Sequence, residues 1–172
     1  MNLTIRQGYV NGCLGRIAGM HADFYSRLVA FGLPFEARVA RELANFCEEH
    51  QPGRDGLWLA MDGEMIHGSV VIDGAHAKEQ GAHLRWFIAS DAARGTGIGS
   101  KLMEHAMAHC VAQGFARVHL STFEGLDAAR HLYEKHGFRL VHQRAGAQWG
   151  KEVNEQRFEW QLPASHEIGV KG

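Results

Sequence analysis

Three glycines and one arginine lie within seven residues, Arg94-Gly95-Thr96-Gly97-Ile98-Gly99-Ser100. They follow the apolar run Leu84-Arg85-Trp86-Phe87-Ile88-Ala89 and open a helical pattern from Ile98 to Gln113. Where a strand hands over to a helix, several backbone N–H groups are free and the helix dipole favours negative charge. Glycine lets the backbone approach a ligand, because no Cβ intervenes. The stretch therefore reads as a pyrophosphate seat. Two nucleotide loops fail at one position. A G-x-G-x-x-G begun at Gly95 needs glycine at position 100, and G-x-x-x-x-G-K-[ST] needs glycine before Lys101; Ser100 occupies both places. The pattern that fits is R-x-x-G-x-G, as Arg94, Gly97 and Gly99.

Other chemistry-bearing residues carry weaker signals. His105 and His109 have metal-ligand spacing on one predicted helix, but the H-E-x-x-H glutamate is missing and no third ligand is evident, so no metal is expected. Cys13, Cys47 and Cys110 are odd in number and far apart, which fits reduced thiols in the cytoplasm rather than a disulfide frame. Cys110 falls on an apolar helical stripe, and Cys13 and Cys47 have no cationic neighbour to activate them.

The elements that must position the loop follow from periodicity. Leu3 to Arg6 alternates as a short strand. Leu14 to Ala30 is a helical stripe interrupted near Gly19-Met20-His21, and Phe35 to Glu49 is a second helix with Phe35, Val39, Leu43 and Phe46 on one face. Gly56 to Met61, the turn Asp62-Gly63 and Met65 to Ile72 form a hairpin. Asp73 to Gly81 is a polar loop, and Ala82 to Ala89 is the strand before the glycines. After the helix capped by Gly114 come a strand (Arg117 to Thr122), a short helix (Asp127 to His136) and two strands (Phe138 to His142, Arg157 to Leu162). The order β-α-α-β-β-β-α-β-α-β-β predicts a mixed, mostly antiparallel sheet of seven strands with four helices, an α/β domain over residues 1–162 with a frayed tail at 163–172.

Composition bounds the function. At 172 residues one domain is expected, and 45% hydrophobic with 22% charged residues is a globular balance. A net charge of −1 without a long basic run gives nucleic acid no footprint. No apolar run is long enough to span a membrane, and Met1 to Arg6 lacks a signal-peptide core.

A second motif lies downstream. Ala128-Ala129-Arg130-His131-Leu132-Tyr133-Glu134-Lys135-His136-Gly137-Phe138 resembles the A-x-x-L-Y-E-K-x-G-F signature of the GNAT (Gcn5-related) N-acetyltransferases, and Arg94-x-x-Gly97-x-Gly99 resembles their acetyl-CoA loop. Both motifs stand at family spacing, and the resemblance covers residues 3 to 162. It is nearest in look to the acetyltransferase domain often fused behind a MarR-type winged helix; no such segment is expected here. Leu126 and Asp91 depart from the asparagine and proline that many members carry.

The resemblance implies a GNAT fold whose central strands splay at a bulge, with acetyl-CoA as acyl donor and no metal. Backbone N–H groups of Arg94, Gly95, Thr96, Gly97, Ile98, Gly99 and Ser100 would hold the pyrophosphate, with the Arg94 side chain near it. Pantetheine would run along Phe87, Ile88 and Ala89, and a free N–H at about Phe87 or Ile88 would face the acetyl oxygen. Tyr133 would supply a proton to the leaving thiolate. A phenol of pKa ~10 against a thiol near ~8.5 gives little driving force, so a positioned hydrogen bond is its main value.

The base has no motif. Glu36, at the start of the second helix, and His83, with an ordinary pKa near ~6.5, are the candidates, with Glu79, Glu124 and a water chain as alternatives. The expected reaction moves an acetyl group to a primary amine, on a small molecule or a protein, by direct attack. A polycationic acceptor is not favoured, since the first helices hold no acidic cluster. The alternative is a non-catalytic acyl-CoA-binding sensor or interaction module. Trp149, Trp160 and the apolar first helices could build a homodimer face.

Overall fold

The structure is a computed structural model that describes residues 1–164. Pro163 and Ala164 leave the last strand without regular structure, and the rest of the expected tail, 165–172, lies outside the described residues. Seven strands, β1 (Thr4–Gln7), β2 (Gly56–Asp62), β3 (Met65–Asp73), β4 (Ala82–Ala89), β5 (Arg117–Phe123), β6 (Arg139–Gly146) and β7 (Val153–Gln161), form one sheet in the order β1-β2-β3-β4-β5-β7-β6. Every neighbouring pair is antiparallel except β4–β5. The helices are α1 (Cys13–Val29), α2 (Leu33–Glu49), α3 (Ala77–Gln80), α4 (Ile98–Gln113) and α5 (Asp127–Lys135), with a 3-10 turn at Asp91–Ala93.

Each face of the sheet buries its own core. On one side Ile98, Leu102, Met103, Ala106 and Cys110 of α4 pack on Val70, Ile72, Leu84, Val118 and Phe158. On the other, Ile17 of α1 and Phe35, Val39, Leu43 and Phe46 of α2 pack on Leu57, Leu59, Val71, Trp86 and Ile88. Apolar periodicity on these helices thus marks buried stripes.

Three expectations need correction. There are five α-helices rather than four, because Ala77–Gln80 turns once within the polar stretch read as a loop. Helix α1 runs unbroken through Gly19-Met20-His21: the buried Ile17, Met20 and His21 hold its phase, and a side chain at Gly15 or Gly19 would face open space. The β6–β7 hairpin is longer than its apolar residues suggest, extending to Gly146 and starting again at Val153 through pairs such as Gln143↔Gln156 and Arg144↔Glu155 that carry no apolar pattern. Of the residues named for a homodimer face, Trp160 is buried in the α4-side core, and Trp149 packs on Phe31 and Phe123.

Candidate active site

Strands β4 and β5 are parallel, yet they pair only at Ala82↔Val118 and His83↔His119. From Leu84 to Ala89, β4 has no partner on β5. On its other edge the register with β3 steps from Val71↔Arg85 to Ser69↔Ile88, so β4 spends three residues where β3 spends two. The extra residue is Trp86, at φ 47, one of two non-glycine residues with positive φ among the described residues. The bulge flips the strand: Leu84 belongs to the α4-side core, and Trp86 to the opposite one. Regular alternation would put them on one face. Ser69, fully buried, donates its hydroxyl to the Trp86 carbonyl at 2.7 Å. Trp86 and Phe87 have no register partner on either neighbouring strand.

The gap between the splayed strands is a cleft of about 150 Å³. Its walls bring together Phe87, Ser121, Thr122 and Tyr133 with Tyr25 of α1 and Phe35 of α2. Tyr133 is buried, packs against Phe87, Phe138 and Phe158, and faces the cleft. Burial, and secondarily Tyr25, holds its phenol well above the usual range. Tyr25 lies in the same cleft; burial raises its phenol to about 12, against a smaller opposing effect of Arg94. Helix periodicity reads Tyr25 as core, so sequence reasoning missed it.

At the fork, His83 and His119 stack with ring centroids 4.4 Å apart and 21° between planes. Both imidazoles are held neutral. Burial dominates for His83, helped by Arg85, His119 and Arg157, and takes it well below 6.5. Burial also dominates for His119, which falls to about 4 with Arg157 assisting. His119 Nδ1 is the one buried side-chain nitrogen or oxygen without a partner among the described residues. His21, also on the cleft wall, donates Nδ1–H to the Ile17 carbonyl at 2.8 Å; burial brings it to about 4, with that bond opposing.

Of the proton-transfer candidates, Tyr133 and His83 line the cleft and Glu36 does not. Glu36 sits one residue after the inward Phe35, about 100° round the helix, and is exposed. The carboxylate of α2 that reaches the cleft is Glu42, neighbour of the buried Val39 and Leu43. Glu79 and Glu124 are exposed, and Glu124 accepts a bond from Asn154.

The glycine loop lies at the far end of β4. Gly95 and Gly97 have φ 75 and 83, the left-handed region that favours glycine. Gly99 is required for another reason: a Cβ there would lie 3.0 Å from Leu132 and 3.4 Å from Phe87, so it allows α4, α5 and β4 to meet closely. Among the described residues the amides of Gly95, Gly97, Ile98, Gly99 and Ser100 have no backbone acceptor, whereas Thr96 donates to Ala93 and Lys101 to Gly97. Arg94 turns away from these amides: its guanidinium lies 4.0 Å from the Phe24 ring centre and donates to the Ala89 carbonyl. The side chains beside the free amides are instead Lys135 and His136, both within hydrogen-bond reach of the Ser100 hydroxyl. They close the second motif, and only the fold shows that they meet the first.

The histidine pair on α4 is explained structurally. His109 Nε2 donates to the Arg54 carbonyl at 3.0 Å and its ring packs on Trp58, while His105 is exposed. Among the described residues no group of three or more His, Cys, Asp or Glu could hold a metal ion. The three cysteines are free, and burial raises Cys110 to about 12 and, together with a smaller effect of Cys13, Cys47 to about 11. No described helix is long and apolar enough to cross a membrane.

Known proteins share this architecture. An acetyltransferase of the GNAT family from Staphylococcus aureus Mu50 superposes with a TM-score of 0.75 at 17% identity, over 94% of this chain and 100% of that one. The Salmonella typhimurium protein yncA, solved with its cofactor acetyl-CoA, gives 0.74 at 16% identity, over 95% and 96%. A GNAT superfamily phosphinothricin acetyltransferase from Sinorhizobium meliloti, in complex with acetyl-CoA, gives 0.70 at 19%, over 94% and 89%. No curated protein matches the chain in sequence. The family model for acetyltransferases of the GNAT family matches residues 22–138, which span α1 to α5 and include the bulged strand and both motifs. The chain belongs to the GNAT acetyltransferase family.

Proposed function

We propose that the protein transfers the acetyl group of acetyl-CoA to a primary amine, by direct attack within a ternary complex. The observation that carries this reading is the alignment of three features along one strand: the free amides of Gly95 and of residues 97–100, the unpaired length of β4, and the bulge facing Tyr133. The residues present fit acetyl-CoA. The amides suit a pyrophosphate, with the Lys135 ammonium and the His136 imidazole adjoining them. The unpaired edge of Phe87–Ala89 suits the amides of the pantetheine arm.

Acetyl-CoA supplies the activated acyl group. The amine lone pair forms the new N–C bond, the C–S bond breaks, and the thiolate leaves with the electron pair. The protein must polarise the carbonyl, protonate sulfur and receive the amine proton. A main-chain N–H at Trp86–Phe87 serves the first role, as a donor fixed where charge develops. Tyr133 serves the second chiefly as a hydrogen-bond donor to the departing thiolate, since its burial keeps the phenol protonated and the residue lines the cleft. His83 serves the third as a neutral acceptor; the burial and guanidinium charges that keep it neutral also disfavour an ammonium beside it, so the amine is held in its nucleophilic form. Glu36 has no part in this mechanism.

The test is thiol release from acetyl-CoA across a panel of small and peptidyl amines, with the N-acetyl product identified by mass. Amine-dependent release supports the transferase. Tight acetyl-CoA binding without release from any amine would make the protein an acyl-CoA sensor instead.

A further inference from the structure

The acceptor end of the cleft has a charge pattern that the transfer reaction does not require. Arg38 and Glu42 of α2, Arg85 of β4 and Gln148 of the β6–β7 loop all line it. Glu42 is fully engaged: Oε1 accepts from Arg38 Nε at 3.0 Å, and Oε2 accepts from Arg85 Nη2. Arg38 is engaged too, donating its remaining nitrogens to the main-chain carbonyl and the side chain of Gln148. Arg85 is different. Among the described residues its only hydrogen bond uses Nη2, which leaves Nε and Nη1 without acceptors on a side chain that is 20% exposed. Its cation also rests 4.2 Å over the Trp86 ring, which fixes its position beside the bulge.

Two guanidiniums against one carboxylate leave this wall with one uncompensated positive charge. The titratable groups nearest Arg85 do not offset it, since His83 and His119 are neutral and Arg157 is paired with Glu159. The cleft thus holds spare cationic donors and no free carboxylate. An ammonium at the far end of an acceptor would meet repulsion, and an anion would meet a planar fork shaped for it. The same cleft is also lined by the aromatic rings of Tyr25, Phe35, Phe123 and Trp149.

We infer that the acceptor is a small amine carrying a carboxylate and an apolar body, its carboxylate held by the free edge of Arg85 while its amine faces the bulge at Trp86. This rests on the transferase reading and adds the substrate class to it. Glu42, shared by both arginines, is a positioning residue that holds Arg85 in place.

Apolar α-amino acids should be compared with their carboxamides as acceptors for acetyl-CoA. The amide keeps the body and the amine but lacks the charge, and its less basic amine favours it intrinsically. The wild-type protein should nevertheless prefer the acid in kcat/KM by about tenfold or more, the scale of a charged hydrogen-bonded pair. Arg85→Gln should reduce the acid-to-amide ratio by a similar factor, and Arg85→Lys, which keeps the charge, should restore part of it. Equal or better use of the amides by wild-type protein would overturn the carboxylate assignment and leave the transferase standing. An unchanged ratio in Arg85→Gln would do the same. Absence of thiol release with every amine, while acetyl-CoA still binds, would overturn both.

Discussion

The Ser69 hydroxyl donates a 2.7 Å hydrogen bond to the carbonyl of Trp86, the residue that β4 holds at φ 47 to make its bulge. A side chain on β3 thereby fixes the strand distortion that turns a sheet into a cleft. Ser69→Ala should cost about 1–2 kcal/mol, the scale of a buried hydrogen bond whose acceptor is left unpaired. It should also lower kcat, because the bulge N–H loses its aim. Urea denaturation and steady-state kinetics check both; a stability loss with unchanged kcat would detach the bulge from catalysis.

The loop glycines should separate by effect. Gly97→Ala adds a Cβ in open space at φ 83, at a backbone cost of about 1–2 kcal/mol. It should weaken acetyl-CoA binding in calorimetric titration, since relieving that strain rotates the free amides. Gly99→Ala drives a methyl towards Leu132 and Phe87 and should lower the melting temperature even without ligand.

Tyr133→Phe keeps the ring among Phe87, Phe138 and Phe158 and removes only the hydroxyl. The fold and the acetyl-CoA affinity should persist while kcat falls by about 10²-fold, the low end of general acid catalysis. Because burial raises this phenol well above its ordinary value, wild-type kcat should show no loss on the alkaline side that is due to Tyr133 up to pH 10. Stopped thiol-release assays across pH read this directly.

The fold should be acid-sensitive. His21 and His119 are buried and depressed to about 4, while the unfolded chain takes up those protons near 6.5. Their contribution is complete above pH 6.5 and is lost as pH falls towards 4, because the unfolded state gains protons first. Each accounts for on the order of 3 kcal/mol over that window. Replacing His119 with glutamine, which does not titrate, should flatten the pH dependence of the denaturation midpoint between pH 6.5 and 4. An equally steep dependence in the variant would show that His119 does not carry this acid sensitivity.

Much of this architecture is legible in the residues themselves. The helical stripes, the Asp62-Gly63 hairpin and the loop between Ala89 and Ile98 follow from local periodicity and turn chemistry, and the order of elements follows from them. The bulge does not. Strand β4 contributes to the cores on both faces, so its sequence reads the same with or without an extra residue, and only the split of Leu84 and Trp86 between two cores reveals it. Contacts between distant segments were equally hidden. Arg85 meets Glu42 across 43 positions, and His83 meets His119 only because β4 and β5 pair at their beginnings. Glu36 was drawn by its place after Gly32-Leu33-Pro34, whereas the phase of α2 turns Glu42 to the cleft instead.

The proposed reaction is direct attack of an amine on acetyl-CoA with no acetyl-enzyme. The cysteines that could carry such an intermediate are free, and burial raises Cys47 and Cys110 away from the reactive thiolate form. Initial rates measured while acetyl-CoA and an accepted amine are varied together test this most directly. Intersecting double-reciprocal lines, with no mass increase of one acetyl group on protein incubated with acetyl-CoA alone, are the predicted result. Parallel lines together with an acetylated protein would contradict it.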